Sequence, residues 1–136
     1  MQTASAFVLT AFIGWTLFLL ILMEGLRVRF LFSNTVAANE FRPDNSNLPP
    51  YMQRLARAHA NCIESFPIVA GLLIVALLTD RAGVTNALAP WLLGARLIQS
   101  SIHVVSTNLV ASYLRFIAFT VQMAIAVYWL VALLAH

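Results

Sequence analysis

Apolar residues fall into four long stretches, and the polar residues between and inside them set the plan of the molecule. Residues 4–23 and 116–135 are uncharged runs of 20 residues each, long enough as helices to cross about 30 Å of hydrocarbon. A third stretch begins near Tyr51 and runs to about Thr79, with its polar residues gathered in the first half. A fourth, about 85–107, carries Arg96 near its middle. The pattern predicts an all-α fold, an integral membrane four-helix bundle with helices over about 4–29, 51–79, 85–107 and 113–135, forming one domain over 1–136. Two connections, 80–85 and 106–112, are short, so successive helices are expected to run antiparallel in an up-down topology. The remaining connection, 30–50, is polar and stiffened by Pro43, Pro49 and Pro50, and the double proline before Tyr51 suits a helix start.

The polar positions inside the spans are not scattered. At about 100° per residue, Arg54, Arg57, Asn61 and Glu64 share a stripe about 80° wide on helix 2. His59 and Cys62 fall outside it. On helix 3, Arg96, Gln99 and His103 align, flanked by Ser100 and Ser106, and on helix 4 Arg115, Phe119 and Gln122 do so. Helix 1 adds Glu24 and Arg27 one turn apart. A charge at bilayer depth costs roughly 2.5–3.5 kcal/mol on the insertion scale, so a chain that places several there is expected to use them. Pro67 removes one backbone hydrogen bond just after Glu64 and is expected to bend helix 2.

Composition agrees: 61% of the residues are hydrophobic and 10% charged, which excludes an ordinary soluble domain. All eight basic residues are arginine, the side chain that stays charged when desolvated and grips carboxylates with a fork of donors. Arg27, Arg29, Arg42, Arg54 and Arg57 cluster around the first connection, whereas Asp80 and Arg81 cancel at the second. The positive-inside rule puts the first loop in the cytoplasm and both termini on the opposite face, with a bacterial inner membrane as the expected location. The first run lacks the basic start of a cleavable signal and is expected to remain as a span. Cys62 is the only cysteine, so no intrachain disulfide forms, and it reads as a small buried hydrophobe. No nucleic-acid motif and no metal-ligand cluster are visible.

Two uses of the polar stripes compete. Arg96 or Arg57 pairing with Glu64 would make them structural, and Arg29 and Arg42 read as interfacial anchors. The excess of arginine over acid favours an anionic ligand. A site of several arginines, an asparagine and one glutamate, open to cytosol and lipid, suits a peptide-like anion with two carboxylates and one ammonium, such as glutathione. Arginines would hold its carboxylates bidentately, and a guanidinium beside its sulfur would favour the thiolate.

The stretch RAHANCIE at 57–64 resembles the R-A-H-x-N-x-x-E signature of the MAPEG family, the membrane-associated proteins in eicosanoid and glutathione metabolism. GLRVR at 25–29, GARLI at 94–98 and the arginine opening helix 4 extend the resemblance over the chain. It implies a homotrimer of four-helix protomers with glutathione as co-substrate, bound near the cytoplasmic side between subunits. Carried over by position, Arg27, Arg57, Asn61, Glu64 and Arg96 would contact glutathione, with Arg54, Gln99 and His103 adding to the site, and Arg115 would be catalytic, stabilising the thiolate. Gln99 and His103 stand where many members have histidine and tyrosine, and Phe119 stands where helix 4 often carries a glutathione-contacting tyrosine. The implied activity is a glutathione transferase or peroxidase acting on lipophilic small molecules that enter from the bilayer, lying against walls of helices 1 and 4. The alternatives are a non-catalytic accessory member of the same fold, with its stripes paired internally or on lipid head groups, and a small cation exporter, which the absence of a deep carboxylate in helix 1 disfavours.

Overall fold

The structure is a computed structural model that describes residues 2–135, so positions 1 and 136 of the expected domain lie outside it. Four helices account for most of the chain: α1 (Ala4–Phe32), α2 (Pro50–Leu78), α3 (Ala89–Val105) and α4 (Leu109–Leu134), with a single 3-10 turn at Ala82–Val84. No strand occurs among the described residues. The lengths and hydropathy of α1, α2 and α4 qualify each as a membrane span. With 17 residues, α3 is shorter and carries the buried Arg96.

Local chemistry sets the ends. Thr3 caps α1, its hydroxyl accepting from the Ala6 N–H at 3.1 Å. Pro50 opens α2 in a first-turn position where a missing N–H costs nothing. The helix then runs unbroken through Pro67 to Leu78. Asn108 caps α4 by accepting from the Ala111 N–H at 2.8 Å, which starts that helix at Leu109, four residues earlier than the expected start at 113. Helix α3 starts later than the apolar pattern suggests, because Thr85 and Asn86 are engaged elsewhere. The Asn86 side-chain oxygen accepts from the Ser5 N–H at 3.0 Å and from its hydroxyl at 2.7 Å, and Ser5 also bonds Thr85. That knot ties the start of α1 to the α2–α3 turn. Nearby, Arg81 donates to the carbonyls of Ala132 and Leu133 at 2.8 and 2.7 Å, placing a cation on otherwise unpaired acceptors at the end of α4.

The helices run up and down, and in cross-section α2 and α3 form the short diagonal of a rhombus. Each packs on the other and on both α1 and α4, whereas α1 and α4 lie on opposite corners without a substantial interface. One core cluster, around Phe12, Leu73, Leu92 and Trp129, fills the half of the bundle near the termini. A second, around Leu19, Met23, Leu55 and Cys62, fills the half near the long loop.

The long loop is itself folded. Val36, Leu48 and Met52 form a small core against Leu26, Phe30 and Phe41. At its centre Asn45 is fully buried, with φ at +56°, a left-handed conformation that asparagine tolerates better than most residues. Its amide oxygen accepts from Arg27 Nε at 2.9 Å and Nη2 at 2.7 Å, and its amide nitrogen donates to the Met52 carbonyl at 2.8 Å. Asp44 stands at the adjoining turn, where hydrogen bonds from the Ser46 backbone and hydroxyl hold its carboxyl below the usual carboxylate range. Asn45→Ala removes all three Asn45 bonds and places alanine at positive φ, and should cost the loop about 2–3 kcal/mol. Hydrogen exchange should then accelerate across residues 36–48 while the middles of the helices stay protected. Unchanged exchange in the loop would show that Asn45 does not hold it.

Candidate functional site

Arg96 is the centre of the interior. It is wholly buried, and α3 projects it between α2 and α1. Its Nη1 donates to Asn61 Oδ1 at 2.6 Å, its Nη2 donates to the Ser65 hydroxyl, and its guanidinium lies 5.7 Å from the Phe12 ring centroid, within cation–π range. The Asn61 oxygen also accepts from Gln99 Nε2 at 3.2 Å, and Gln99 Oε1 in turn accepts from Gln122 Nε2 at 2.8 Å. Ser65, Arg96, Asn61, Gln99 and Gln122 thus form one hydrogen-bonded chain through α2, α3 and α4. No carboxylate takes part in it.

Toward the loop side of this chain lies His103, mostly buried near the end of α3. The positive charges of Arg115, Arg57 and Arg96, one each from α4, α2 and α3, all act on it electrostatically. Arg115 donates from Nη2 to the Ser112 hydroxyl at 2.9 Å, while its Nη1 is buried without a partner. Arg96 Nε and His103 Nδ1 are likewise buried and unpaired. Arg54 is half-buried and donates from Nε to the Val104 carbonyl at 2.9 Å. With Arg57, Gln53, Pro50 and Thr107 it lines a cleft of about 230 Å³ at the loop-side end.

The helix-2 stripe is divided by the way the helix is turned. Asn61 faces the interior chain, but Arg57 and Glu64 are exposed on the outer face of the protomer. Glu64 makes no ion pair with Arg96 or Arg57, and the single salt bridge among the described residues joins Glu24 and Arg27 at 2.8 Å. Arg27 is fully occupied: besides Glu24 and Asn45 it donates to the carbonyls of Arg42 and Pro43. In this conformation it clamps the loop onto α1, apart from the cluster around His103. His59 is half-buried with Nε2 unpartnered. Cys62 is buried, its sulfur 3.2 Å from the Ser100 hydroxyl.

Two contributors escaped the sequence reading. Ser65 follows Asn61 by one turn and bonds the same guanidinium, and the spacing of the two could have revealed it. Asn45 lies in a loop, and no periodicity marks it. Helices 1 and 4, on which sequence reading placed apolar walls, share no substantial interface within one protomer, although Phe12 and Trp129 belong to the same core cluster. A large apolar groove runs between α2 and α4, with a volume of about 610 Å³, lined by residues including Ile68, Gly71, Val75, Met123 and Val127.

An all-α bundle of four helices, three of them long and apolar enough to cross a membrane, with Arg96 wholly buried among them, defines the class of protein: an integral membrane four-helix bundle with a polar interior. The sequence profile of the MAPEG family matches residues 5–135, nearly the whole chain, and the protein belongs to that family. Comparison with individual curated proteins and with solved structures gave no match.

Proposed function

We propose that the protein is a glutathione-dependent transferase or peroxidase that acts on lipophilic electrophiles drawn from the bilayer. The observation that carries this reading is that Arg96 is wholly buried and Arg115 holds a buried, unpaired Nη1, both acting on His103 together with the exposed Arg57, with no acidic partner on any of the three. Buried or membrane-depth cations without counter-charge are costly, and an anionic ligand would supply that charge. Family membership favours glutathione as that anion, since MAPEG members include glutathione transferases and related enzymes.

In this reading Arg54 and Arg57 bind carboxylate at the loop-side cleft, Asn61, Gln99 and His103 offer hydrogen bonds, and Arg96 supplies positive charge from within. Arg115 stabilises the glutathione thiolate. The thiolate attacks the electrophilic carbon, a C–S bond forms and the leaving group departs with its electron pair. In the peroxidase variant the thiolate attacks a peroxide oxygen, the O–O bond breaks and the alkoxide leaves and is protonated to the alcohol, and the resulting sulfenic acid is resolved by a second glutathione to the disulfide and water.

The exposure of Glu64 supports assembly. It lies midway along the 29 residues of α2 and faces outward, where lipid contact would cost about 2.5 kcal/mol or more if it stayed ionised. A neighbouring subunit of a homotrimer would cover it and Arg57, and would also bring an α1 to an α4, forming the apolar wall that one protomer lacks. The arginine-rich end faces the cytoplasm in this reading, where glutathione is found, and both termini face the other way.

A second reading, a non-catalytic accessory protein of the same fold, draws on the internal use of Arg27 by Asn45 and of Arg96 by Asn61 and Ser65. Calorimetric titration of the detergent-solubilised protein with glutathione separates the two. Saturable heat and a rise in the thermal midpoint are expected, the stabilisation reaching about 2.7 kcal/mol at a ligand concentration one hundred times Kd. No heat and no stabilisation at millimolar glutathione would leave only the accessory reading.

A further inference from the structure

A second polar cavity opens away from the arginine cluster, at the loop-side end of α1. Its volume is about 240 Å³, and Leu26, Arg29, Phe30, Ser33, Thr35 and Tyr51 line it. Arg29 differs here from its neighbours. Arg27 has all three guanidinium nitrogens engaged and Arg42 donates to the Ser46 hydroxyl at 3.2 Å, whereas the Arg29 guanidinium makes no hydrogen bond or ion pair among the described residues. The Tyr51 phenol is exposed and likewise unpaired, with its ring 6.5 Å from that of Phe30. The Ser33 hydroxyl donates to the Phe30 carbonyl at 3.0 Å and bonds the Thr35 hydroxyl at 2.8 Å. The free donors lining the cavity are therefore those of Arg29 and Tyr51, and no acid lines it.

Below the cavity, α1 offers exposed apolar side chains on the face that carries Arg29. At about 100° per residue Phe18, Leu22 and Arg29 fall within about 40° of one another on α1, and both apolar side chains are exposed, at 52% and 37%. The track thus leads from the guanidinium down the helix toward the bilayer centre. Two chemistries in sequence, an oxyanion site at the interface and a hydrocarbon track beneath it, match a single molecule that joins them covalently.

We infer that this cavity is a binding site for a glycerophospholipid of the loop-side leaflet, with its phosphodiester held by Arg29 and Tyr51 and an acyl chain laid along Leu22 and Phe18. Arginine recognises phosphate oxygens with two parallel donors, and aromatic rings such as Phe30 and Tyr51 settle at head-group depth. The site is separate from the arginine cluster around His103 and does not depend on what that cluster binds.

The test uses the full-length protein, delipidated in detergent and titrated with a synthetic phosphatidylglycerol, with bound lipid counted by native mass spectrometry. One lipid per chain is expected to saturate. Arg29→Gln, at an exposed position where the fold should persist, is expected to weaken binding about tenfold, and Tyr51→Phe about threefold. Arg42→Gln, at an arginine of the adjoining loop outside the cavity, should leave affinity within about twofold, and retained helicity by circular dichroism checks each variant. Glycerol 3-phosphate, which has the head-group phosphate without the chains, should fail to displace the lipid at equal concentration. Equal losses in Arg29→Gln and Arg42→Gln would reduce the effect to diffuse charge and overturn the assignment. Displacement by glycerol 3-phosphate would make it a phosphate site without a lipid track, and absence of saturable lipid on the wild type would dismiss it outright.

Discussion

Arg115→Ala should lower turnover about a hundredfold while glutathione affinity changes little. The side chain stands near the start of α4, anchored through one nitrogen to Ser112 while another is buried without a partner, the arrangement of a donor held ready for charge that a ligand brings. If that charge is the thiolate, Arg115 acts mainly on the deprotonated sulfur. Loss of one such positioned donor costs about 10²–10³ in rate at comparable sites. The pH profile should move with it. Removing a nearby cation raises the thiol pKa of bound glutathione, so the rising limb of activity should shift to higher pH, and part of the lost rate should return in alkaline buffer. Arg115→Lys, which keeps the charge but not the fork, should fall between. Normal turnover in Arg115→Ala, with glutathione bound as before, would remove Arg115 from the chemistry.

Arg96→Met is expected to separate stability from function. The substitution keeps much of the volume and removes a wholly buried cation that has no carboxylate partner. Replacing buried charge by apolar side chains of similar size is often neutral or stabilising. The groups left behind retain partners here: Asn61 Oδ1 still accepts from Gln99, and the Ser65 hydroxyl can donate to the Asn61 and Cys62 carbonyls at 3.3 and 3.4 Å. The ligand-free variant should therefore melt within a few degrees of wild type or above it. Glutathione affinity should fall at least about tenfold, since a charge-assisted interaction with a carboxylate or thiolate is lost, and glutathione should no longer raise the melting temperature appreciably. A variant that fails to fold without ligand would give Arg96 a structural role and favour the accessory reading.

These two predictions rest on residues of different legibility. Arg96 was conspicuous in the sequence, because a charge deep in an apolar run stands out against its surroundings, and its alignment with Gln99 and His103 followed from the helical repeat alone. Its partners were only half visible. Asn61 was singled out, but the competing structural reading, an ion pair with Glu64, does not form, since α2 is turned so that Asn61 and Ser65 face inward while Glu64 and Arg57 face out. A stripe about 80° wide can straddle the boundary between a core-facing and an outward face, and the periodicity of one helix does not say where its neighbours lie. Arg27 gives the same lesson. Its place one turn after Glu24 was legible, but its capture by Asn45, 18 residues away in a loop, was not.

The sequence by itself determined that this is an all-α membrane protein of four helices, because hydropathy is a local and nearly additive property and long apolar runs leave the backbone few other ways to satisfy its hydrogen bonds in lipid. The RAHANCIE signature also pointed to the family, and hence to the anion its site is proposed to hold. Only the tertiary structure decided which polar residues meet. It joined Arg96 to Asn61 and Ser65 across more than 30 positions and tied Ser5 to Asn86 across 81. It also delayed the start of α3 and set α1 and α4 on opposite corners of the bundle. The rotation of each helix about its axis, and the pairing of groups distant in sequence, depend on all the neighbours at once. No single helix carries that information.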